Sequence, residues 1–256
     1  MNMMRQILIT GASSGLGAAL AENYAKDKSR LLLIGRNKER LENVASRCRE
    51  IGASVVSATI DVTDEEQMKS WIEKNAPIDL VIANAGISGG MGGMDKAQES
   101  TQQVKEIFDI NIYGIVNTIH PCIELMTAQK SGQIAIVSSL AGLMGWPGAP
   151  AYSASKATIK AYGEALRGNL AKYSIKVTVI CPGFIRTAMT VNNSFPMPLI
   201  MDANKAANII KNKLRRGPAR IAFPWLLYFL ISTAAYLPPA LTEILLRILP
   251  GKEPLK

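Results

Sequence analysis

The sequence predicts an α/β fold in which helices cover both faces of a doubly wound parallel sheet. Strand-like and helix-like segments alternate along the chain. Several strand-like segments are continuously apolar, which is typical of strands buried on both faces. A glycine-rich turn joins the first strand to the first helix. In such a fold we expect the ligand outside the carboxyl ends of the strands.

The predicted elements follow in order. The strands are expected at residues 7–10, 31–34, 54–60, 80–83, 134–137 and 175–181. The helices are expected at residues 15–28, 38–50, 63–74, 98–129 and 153–172. Thr63 and Glu66 have the spacing of a capping box, which predicts the start of the third helix. We expect one domain over 1–256, with a substrate lid at 188–215 and apolar, basic helices at 221–256.

Composition excludes several classes of protein. The 256 residues are 48% hydrophobic, with 20 Gly and 13 Pro, which excludes collagen-like, low-complexity and disordered chains. Three widely spaced cysteines predict reduced thiols in a cytoplasmic protein. His120 is the single histidine, which excludes histidine-cluster metal sites. The first residues lack the apolar stretch of a secretory signal.

The turn after the first strand has the spacing Gly-x-x-x-Gly-x-Gly over residues 11–17. Gly11 permits the tight turn, Gly15 lets the backbone approach a pyrophosphate, and Gly17 lets the helix pack close to the strand. An ordinary strand-to-helix turn is the alternative interpretation.

The end of the second strand favours NADP(H) over NAD(H). A carboxylate at this place would bind the ribose 2′-hydroxyl of NAD. The sequence has Arg36-Asn37 instead, and a guanidinium can bind a 2′-phosphate through two hydrogen bonds. The alternative is that Arg36 is a solvated charge at a helix start.

Two further segments end predicted strands. Asp61-Val62 follows the third strand, where an adenine would lie. Asn84-Ala85-Gly86 follows the fourth, where small residues leave room for a flat ligand. Each also fits an ordinary turn.

Tyr152 and Lys156 are four residues apart and share one face of a predicted helix. A free phenol has a pKa near 10, and a nearby ammonium would lower that pKa towards neutrality. Ser139 follows the strand at 134–137 and can hold a substrate oxygen beside the phenol. Together these residues predict proton transfer to or from a bound substrate.

In these motifs the chain resembles the short-chain dehydrogenases/reductases over about residues 5–190. The resemblance implies a seven-stranded Rossmann sheet and pairing of subunits through helices near 98–130 and 152–172, as a homodimer or homotetramer. It implies that Tyr152 is the general acid/base, Lys156 binds the nicotinamide ribose, Ser139 rather than Ser138 positions the carbonyl, and Asn111 supports a water relay. The expected cofactor-binding residues are Gly11, Ser13, Ser14, Gly15, Leu16, Gly17, Arg36, Asn37, Asp61, Val62, Asn84, Ala85, Gly86, Tyr152, Lys156, Pro182, Gly183, Ile185 and Thr187.

The predicted function is an NADP(H)-dependent oxidoreductase that interconverts a carbonyl and an alcohol. The apolar C-terminus and the segment 195–199 favour an apolar substrate, such as a lipid-, retinoid- or steroid-like carbonyl. A small polyol or a sugar nucleotide is the alternative substrate. A catalytically silent NADP(H)-binding sensor or scaffold is the alternative function. The glycine-rich segment 86–93 fits a mobile loop over the site or a plain surface loop.

Charge and apolar residues coincide near the C-terminus. Residues 204–256 contain nine basic and two acidic residues, most of the chain's net charge of +9. No residue between Arg220 and Glu243 is charged, but prolines interrupt the run. We expect short helices at 225–237 and 240–249, the second with Glu243 and Arg247 as an i,i+4 pair. They either attach the cytoplasmic protein to an anionic membrane surface, or they pack on the domain, cap the pocket or contact a second subunit. Nucleic acid is not an expected partner, because stacking aromatics are not interleaved with the basic residues.

Overall fold

The computed structural model describes residues 5–92, 98–191, 193, 196–246, 252 and 254–255. Its strands are β1 (Gln6–Thr10), β2 (Arg30–Gly35), β3 (Ser54–Thr59), β4 (Leu80–Ala83), β5 (Gly132–Val137), β6 (Ile175–Pro182), β7 (Ile185–Arg186), β8 (Met201–Asp202) and β9 (Arg220–Phe223). Seven of these strands form a parallel sheet in the order β3-β2-β1-β4-β5-β6-β9. The two short strands β7 and β8 pair separately.

Helices cover both faces of this sheet. They are α1 (Gly15–Ala25), α2 (Lys38–Ile51), α3 (Glu65–Lys74), α4 (Thr101–Phe108), α5 (Gly114–Gln129), α6 (Pro150–Leu170), α7 (Ala203–Leu214), α8 (Trp225–Ala234) and α9 (Pro239–Leu246). One apolar core joins α1, α2 and α7 to the sheet, and a second joins α3, α5 and α6 to the opposite face. The prediction of a doubly wound parallel sheet is therefore confirmed.

The strand order reverses next to β1. The chain moves from β1 to β2 and β3 on one side, and then returns to β4 on the other side of β1. Every residue of β1 and β4 is buried, as their continuous apolar sequences predict. A reversal of this kind opens a crevice at the carboxyl ends of the strands, where open α/β sheets bind ligands.

The predicted capping box of α3 is wrong. The helix begins one residue later than a Thr63 cap requires, because Asp64 occupies the N-cap and its carboxylate accepts a hydrogen bond from the amide of Gln67. Thr63 instead donates its hydroxyl to Asp61. A carboxylate is as good a cap as a hydroxyl, so two adjacent candidates competed and the sequence did not distinguish them.

The predicted long helix at 98–129 is divided in the structure. A π-helical turn, Asp109–Tyr113, separates α4 from α5. It contains the buried Asn111. Such turns interrupt the regular helical hydrogen bonds and often occur at functional sites.

Helix α8 packs on the domain through one face. Leu227, Tyr228 and Ile231 of α8 contact an apolar cluster that includes Leu140 and Cys181. Arg247 of the predicted pair Glu243–Arg247 lies outside the described residues. Among the helices of the described ranges, none combines the length and apolar character that crossing a bilayer requires.

Candidate active site

A cavity of about 560 Å³ opens at the carboxyl ends of the central strands. Most of the predicted site residues line it: Gly11, Ser13, Ser14, Gly15, Leu16, Arg36, Asn37, Val62, Asn84, Ala85, Gly86, Ser139, Tyr152, Lys156, Pro182, Gly183, Ile185 and Thr187. Gly17, Asp61 and Asn111 do not line it and contact residues that do. The structure thus brings the sequence-predicted residues into one site.

The glycine-rich turn is built for close backbone approach. A side chain at Gly17 would place its Cβ 2.2 Å from the carbonyl oxygen of Gly11, which only glycine avoids. Gly15 has a φ of +56° and lies under Thr187, whose Cγ2 would be 3.0 Å from an added Cβ. Ser14 caps α1 without a side-chain hydrogen bond. Free amides therefore face the cavity at a helix N-terminus, an arrangement that suits an anion.

Asn84 joins the ends of the two central strands. Its side-chain amide donates to the carbonyl oxygen of Thr10 at 3.0 Å, and its backbone amide donates to the Thr10 hydroxyl at 3.1 Å. Ala85 also donates to that hydroxyl. These bonds hold the floor of the cavity rigid at the point where the strand order reverses.

Two guanidinium groups line the cavity at the end of β2. Arg36 is about half exposed, and its guanidinium lies 3.6 Å from a carboxylate oxygen of Asp61. Arg40, which the sequence analysis missed, lines the same region. Asn37 caps α2 by accepting from the backbone amide of Arg40 at 2.9 Å. The signal for Arg40 was a second basic residue in the first turn of the helix that follows β2, close to Arg36 in sequence.

Tyr152 and Lys156 lie on α6 and face the cavity with Ser139, which follows β5. The Lys156 ammonium is 5.8 Å from the centre of the Tyr152 ring and donates to the carbonyl oxygen of Val137 at 3.1 Å. The hydroxyl of Ser138 donates to the backbone carbonyl oxygen of Lys156 at 2.7 Å. Ser139 is therefore the serine whose hydroxyl is available beside the phenol, as the sequence analysis expects.

The start of α6 is fixed by a carboxylate. The backbone amide of Ala151 donates to Glu99 at 2.8 Å, and the other oxygen of Glu99 accepts from the side chain of Gln103 at 3.0 Å. A negative charge at a helix N-terminus stabilises the helix. This contact positions the turn that carries Tyr152.

A family model for short chain dehydrogenases matches residues 5–196 of the sequence. The chain belongs to the short-chain dehydrogenase family. An uncharacterized oxidoreductase of Myxococcus xanthus is 35% identical over 244 residues, covering 93% of this chain and 95% of that protein. The 11-beta-hydroxysteroid dehydrogenase-like protein 2 of Arabidopsis thaliana is 33% identical over 252 residues, covering 94% and 80%. A short chain dehydrogenase from Burkholderia cenocepacia, solved in complex with NADP, has a TM-score of 0.82 at 25% identity, covering 95% and 98%.

As a short-chain dehydrogenase, the protein is an oxidoreductase with a seven-stranded Rossmann sheet. Asn111 occupies the π-helical turn within this fold. Its carbonyl oxygen accepts from the amide of Ile87 at 2.8 Å, and its amide donates to Ile87 and to the hydroxyl of Ser155, both at 3.0 Å. An added Cβ at Gly86 would lie 3.0 Å from the Asn111 oxygen and 3.3 Å from the Lys156 amine. Asn111 and Lys156 therefore flank the same glycine.

Burial dominates the acid–base properties of the dehydrogenase site. It raises the pKa of the Tyr152 phenol above its ordinary value, and a hydrogen bond with Ser139 opposes this shift. It lowers the pKa of Lys156 to about 8. In the protein without cofactor the net shift of the phenol pKa is therefore upward, because desolvation disfavours the charged forms of both Tyr152 and Lys156.

Large apolar side chains from distant parts of the chain also line the cavity, and we call the region that they line the substrate end. Leu140, Trp146, Phe184, Leu227 and Ile231 line it. Leu227 and Ile231 belong to α8, so the first of the two C-terminal helices contributes to the pocket wall, which is one of the alternatives that the sequence left open. Several residues of the predicted lid line it too, namely Ala188, Met189, Thr190, Asn193, Pro196 and Pro198. Phe195 of that lid lies outside the described residues.

Sequence analysis also missed Lys252, which lines the cavity and is 7% exposed. Its ammonium lies 5.3 Å from the centre of the Tyr152 ring. The glycine-rich segment 86–93 does not form a plain surface loop in its described part, because Gly89 and Gly90 are buried against Leu255 and Lys252. Gly93 is outside the described residues. No local spacing signalled these contacts, since they join residues about 160 positions apart.

Proposed function

We propose that the protein is an NADP(H)-dependent oxidoreductase that interconverts a carbonyl and an alcohol on an apolar substrate, with Tyr152 as general acid/base. The observation that carries this proposal is that Tyr152, Lys156 and Ser139 line the same cavity as the glycine-rich turn. A proton donor and a nucleotide-sized crevice are thus adjacent, as hydride transfer with proton transfer requires.

The residues present fit a nicotinamide dinucleotide. The uncapped N-terminus of α1 suits the pyrophosphate, and Gly15 leaves space there that any side chain would fill. The adenine would lie near Val62, the nicotinamide ribose near Tyr152 and Lys156, and the carboxamide near Ile185 and Thr187. All five line the cavity.

The charges at the end of β2 support NADP(H) over NAD(H). Arg36 and Arg40 face the cavity where NAD-specific sites have a carboxylate. Asp61 is paired with Arg36 at 3.6 Å and does not itself line the cavity. Two guanidinium groups can bind a 2′-phosphate by charge-assisted hydrogen bonds. The related Burkholderia cenocepacia structure contains NADP.

The chain's own residues position the carbonyl group and transfer the proton. When bound, the cofactor would supply or accept the hydride at the carbonyl carbon. Ser139 holds the carbonyl oxygen, and Tyr152 donates a proton to it in the reducing direction. With a pKa of about 8, Lys156 remains protonated at neutral pH and favours the phenolate that is left. Asn111, beside Lys156 across Gly86, supports return of the proton through water.

The substrate end supports an apolar carbonyl compound. Its lining side chains are large and apolar, and burial of such surface contributes about 25 cal/mol per Å². A lipid-, retinoid- or steroid-like ketone fits this lining better than a polyol or a sugar, because most of the hydroxyls of a polyol or a sugar would face apolar side chains.

Substitution Tyr152→Phe tests this proposal against a catalytically silent NADP(H)-binding protein. Turnover of NADPH with an apolar ketone should fall about a thousandfold, because the proton donor is lost. The dissociation constant for NADPH should change less than about twofold, which fluorescence titration measures. Unchanged turnover would refute Tyr152 as the acid, and a wild-type protein that binds NADPH but turns over no carbonyl would favour the silent protein.

We also propose that the outer face of α8 lies on an anionic membrane surface. Trp225, Phe229 and Leu230 are 74%, 60% and 55% exposed on this uncharged helix, while Leu227 and Ile231 line the cavity. An apolar substrate would then reach the cavity from lipid. Flotation with anionic liposomes should be lost in Trp225→Ser/Phe229→Ser, with turnover of a soluble ketone unchanged. A wild-type protein that stays with the soluble fraction would contradict this proposal.

We propose further that two copies pair through α5 and α6, as a homodimer or as half of a homotetramer. His120 and Tyr162 are joined across these helices at 2.6 Å, which fixes their outer surface. Light scattering should then give two or four times the 27.7 kDa of one chain. A mass of one chain at micromolar concentration would contradict pairing.

A further inference from the structure

The amine of Lys252 is a buried cation that the proposed mechanism does not use. Lys252 belongs to the C-terminal tail, defined here as residues 252 and 254–255. It is more than nine-tenths buried, and its ammonium lies 5.3 Å from the centre of the Tyr152 ring. The reacting carbonyl must bind beside this phenol, so Lys252 lies within reach of the substrate.

The fold holds the tail in this place through contacts on both sides. The carbonyl oxygen of Lys252 accepts from the amide of Gly92 at 2.7 Å. The amide of Leu255 donates to the side chain of Gln103 at 2.8 Å. A Cβ at Gly90 would lie 2.5 Å from the Lys252 backbone oxygen, so the absence of a side chain there permits the approach. Several contacts thus fix the position of Lys252.

The charge of Lys252 has no partner of opposite sign among the described residues. Its ammonium donates to the hydroxyl of Ser88, which is neutral. Lys211, which is equally buried, shows the usual solution, because its ammonium lies 2.7 Å from the carboxylate of Asp27. No ion pair of this kind reaches Lys252 within the described ranges. Burying an ammonium without an opposite charge is costly, and an anionic ligand would offset that cost.

We propose that Lys252 is a substrate-binding residue that recognises a carboxylate or similar anionic oxygen group near the reacting carbon of an apolar substrate. The inference rests on the proposed oxidoreductase function, since that function places the reacting carbonyl at Tyr152. The apolar body of the substrate would lie against Leu140, Trp146 and Leu227. The substrate class is therefore an oxo or hydroxy acid with an apolar chain.

Calorimetric titration of the full chain with octanoate and with octanamide tests this inference, both with and without saturating NADPH. The two probes have the same shape and differ in charge. The wild-type protein should bind octanoate about tenfold more tightly than octanamide, since hydrogen bonds to charged groups are the stronger ones. Lys252→Met should abolish this preference, and Lys252→Arg should keep it. Lys172→Met is the matched control, because Lys172 lies 5.1 Å from the ring of Tyr173 on the surface.

Equal binding of the two probes by the wild-type protein would overturn the inference, as would a preference that persists in Lys252→Met. If Lys252→Arg keeps the preference for octanoate, a substitution at this position does not by itself unfold the site. Thermal unfolding of each variant checks that the variants are folded. A wild-type protein that reduces neutral apolar ketones but binds both probes equally would refute the role of Lys252 alone. Failure to bind NADPH would refute the proposed function, while the titration without cofactor would still decide the role of Lys252.

Discussion

The two ends of the cavity are constructed in opposite ways. At the cofactor end, the backbone forms the wall, because Gly11, Gly15 and Gly17 bring the main chain close to where the pyrophosphate would lie. At the substrate end, side chains form the wall, and they include residues of α8 and of the C-terminal tail. The first end depends on short-range spacing, whereas the second depends on how distant segments dock. This difference decides which substitutions each end tolerates.

The largest effect on stability is expected at the cofactor end. Gly17→Ala should lower the free energy of unfolding by about 3 kcal/mol, because the new methyl group would overlap the carbonyl oxygen of Gly11 and the backbone must move. Denaturant titration measures this loss.

Gly168→Ala is the matched control in another helix. Nothing lies within 4 Å of a Cβ at Gly168, and alanine favours helix, so stability should rise by up to about 1 kcal/mol. Equal effects of the two substitutions would mean that close packing does not distinguish Gly17.

A smaller effect tests the charges at the edge of the cofactor end. Arg36→Ala should weaken the binding of NADPH about tenfold and leave the binding of NADH nearly unchanged, because only NADPH carries the 2′-phosphate. Arg40→Ala should act in the same direction. Arg47→Ala is the control, since Arg47 is about as exposed as Arg36 and pairs with Glu22. If calorimetry showed equal losses of affinity for NADPH and for NADH, the role of Arg36 in binding the 2′-phosphate would be contradicted.

The last prediction concerns the substrate end and its dependence on pH. Burial lowers the pKa of Lys252 to about 8, below the value of about 10.4 in an unfolded chain. Below pH 8 the Lys252 amine is protonated in both the folded and the unfolded state, and its buried charge destabilises the folded state. As pH rises from 8 to 10.4 the folded state loses its proton first, so this destabilisation disappears.

Lys252→Met should therefore be more stable than the wild type at pH 7, by about 1–2 kcal/mol, and this advantage should shrink towards pH 10. Comparing the two proteins at each pH cancels the titration of other groups, such as the buried Cys181, whose pKa burial raises to about 11. A difference that stays constant from pH 7 to pH 10 would show that Lys252 is not desolvated.

Sequence spacing was sufficient to predict that the glycine-rich turn, Tyr152, Lys156 and Ser139 line one cavity. The glycine-rich turn, the Tyr152–Lys156 pair and the strand ends all encode their geometry within a few residues, so the fold class and these positions followed from local rules. Arg40 was missed although its spacing from Arg36 was visible. The cap of α3 was predicted at Thr63 and lies at Asp64, because neighbouring residues of similar capping strength compete.

The substrate end could not be predicted in the same way. Contacts of Lys252 with Ser88, and of Leu255 with Gln103, join residues more than 150 positions apart, and no local pattern specifies them. Burial is the largest cause of the raised pKa of Tyr152, and burial is a property of the whole fold. For the same reason, the sequence did not show that one face of α8 lines the cavity while the other face is exposed.

The central claim is that Tyr152 transfers a proton beside a nicotinamide held at the glycine-rich turn. A crystal structure of the full chain with NADPH tests it most directly. The account predicts the nicotinamide C4 within about 5 Å of the Tyr152 hydroxyl, close enough for both atoms to reach one carbonyl group. It also predicts the 2′-phosphate against Arg36. A nicotinamide ring bound away from Tyr152 would contradict the account.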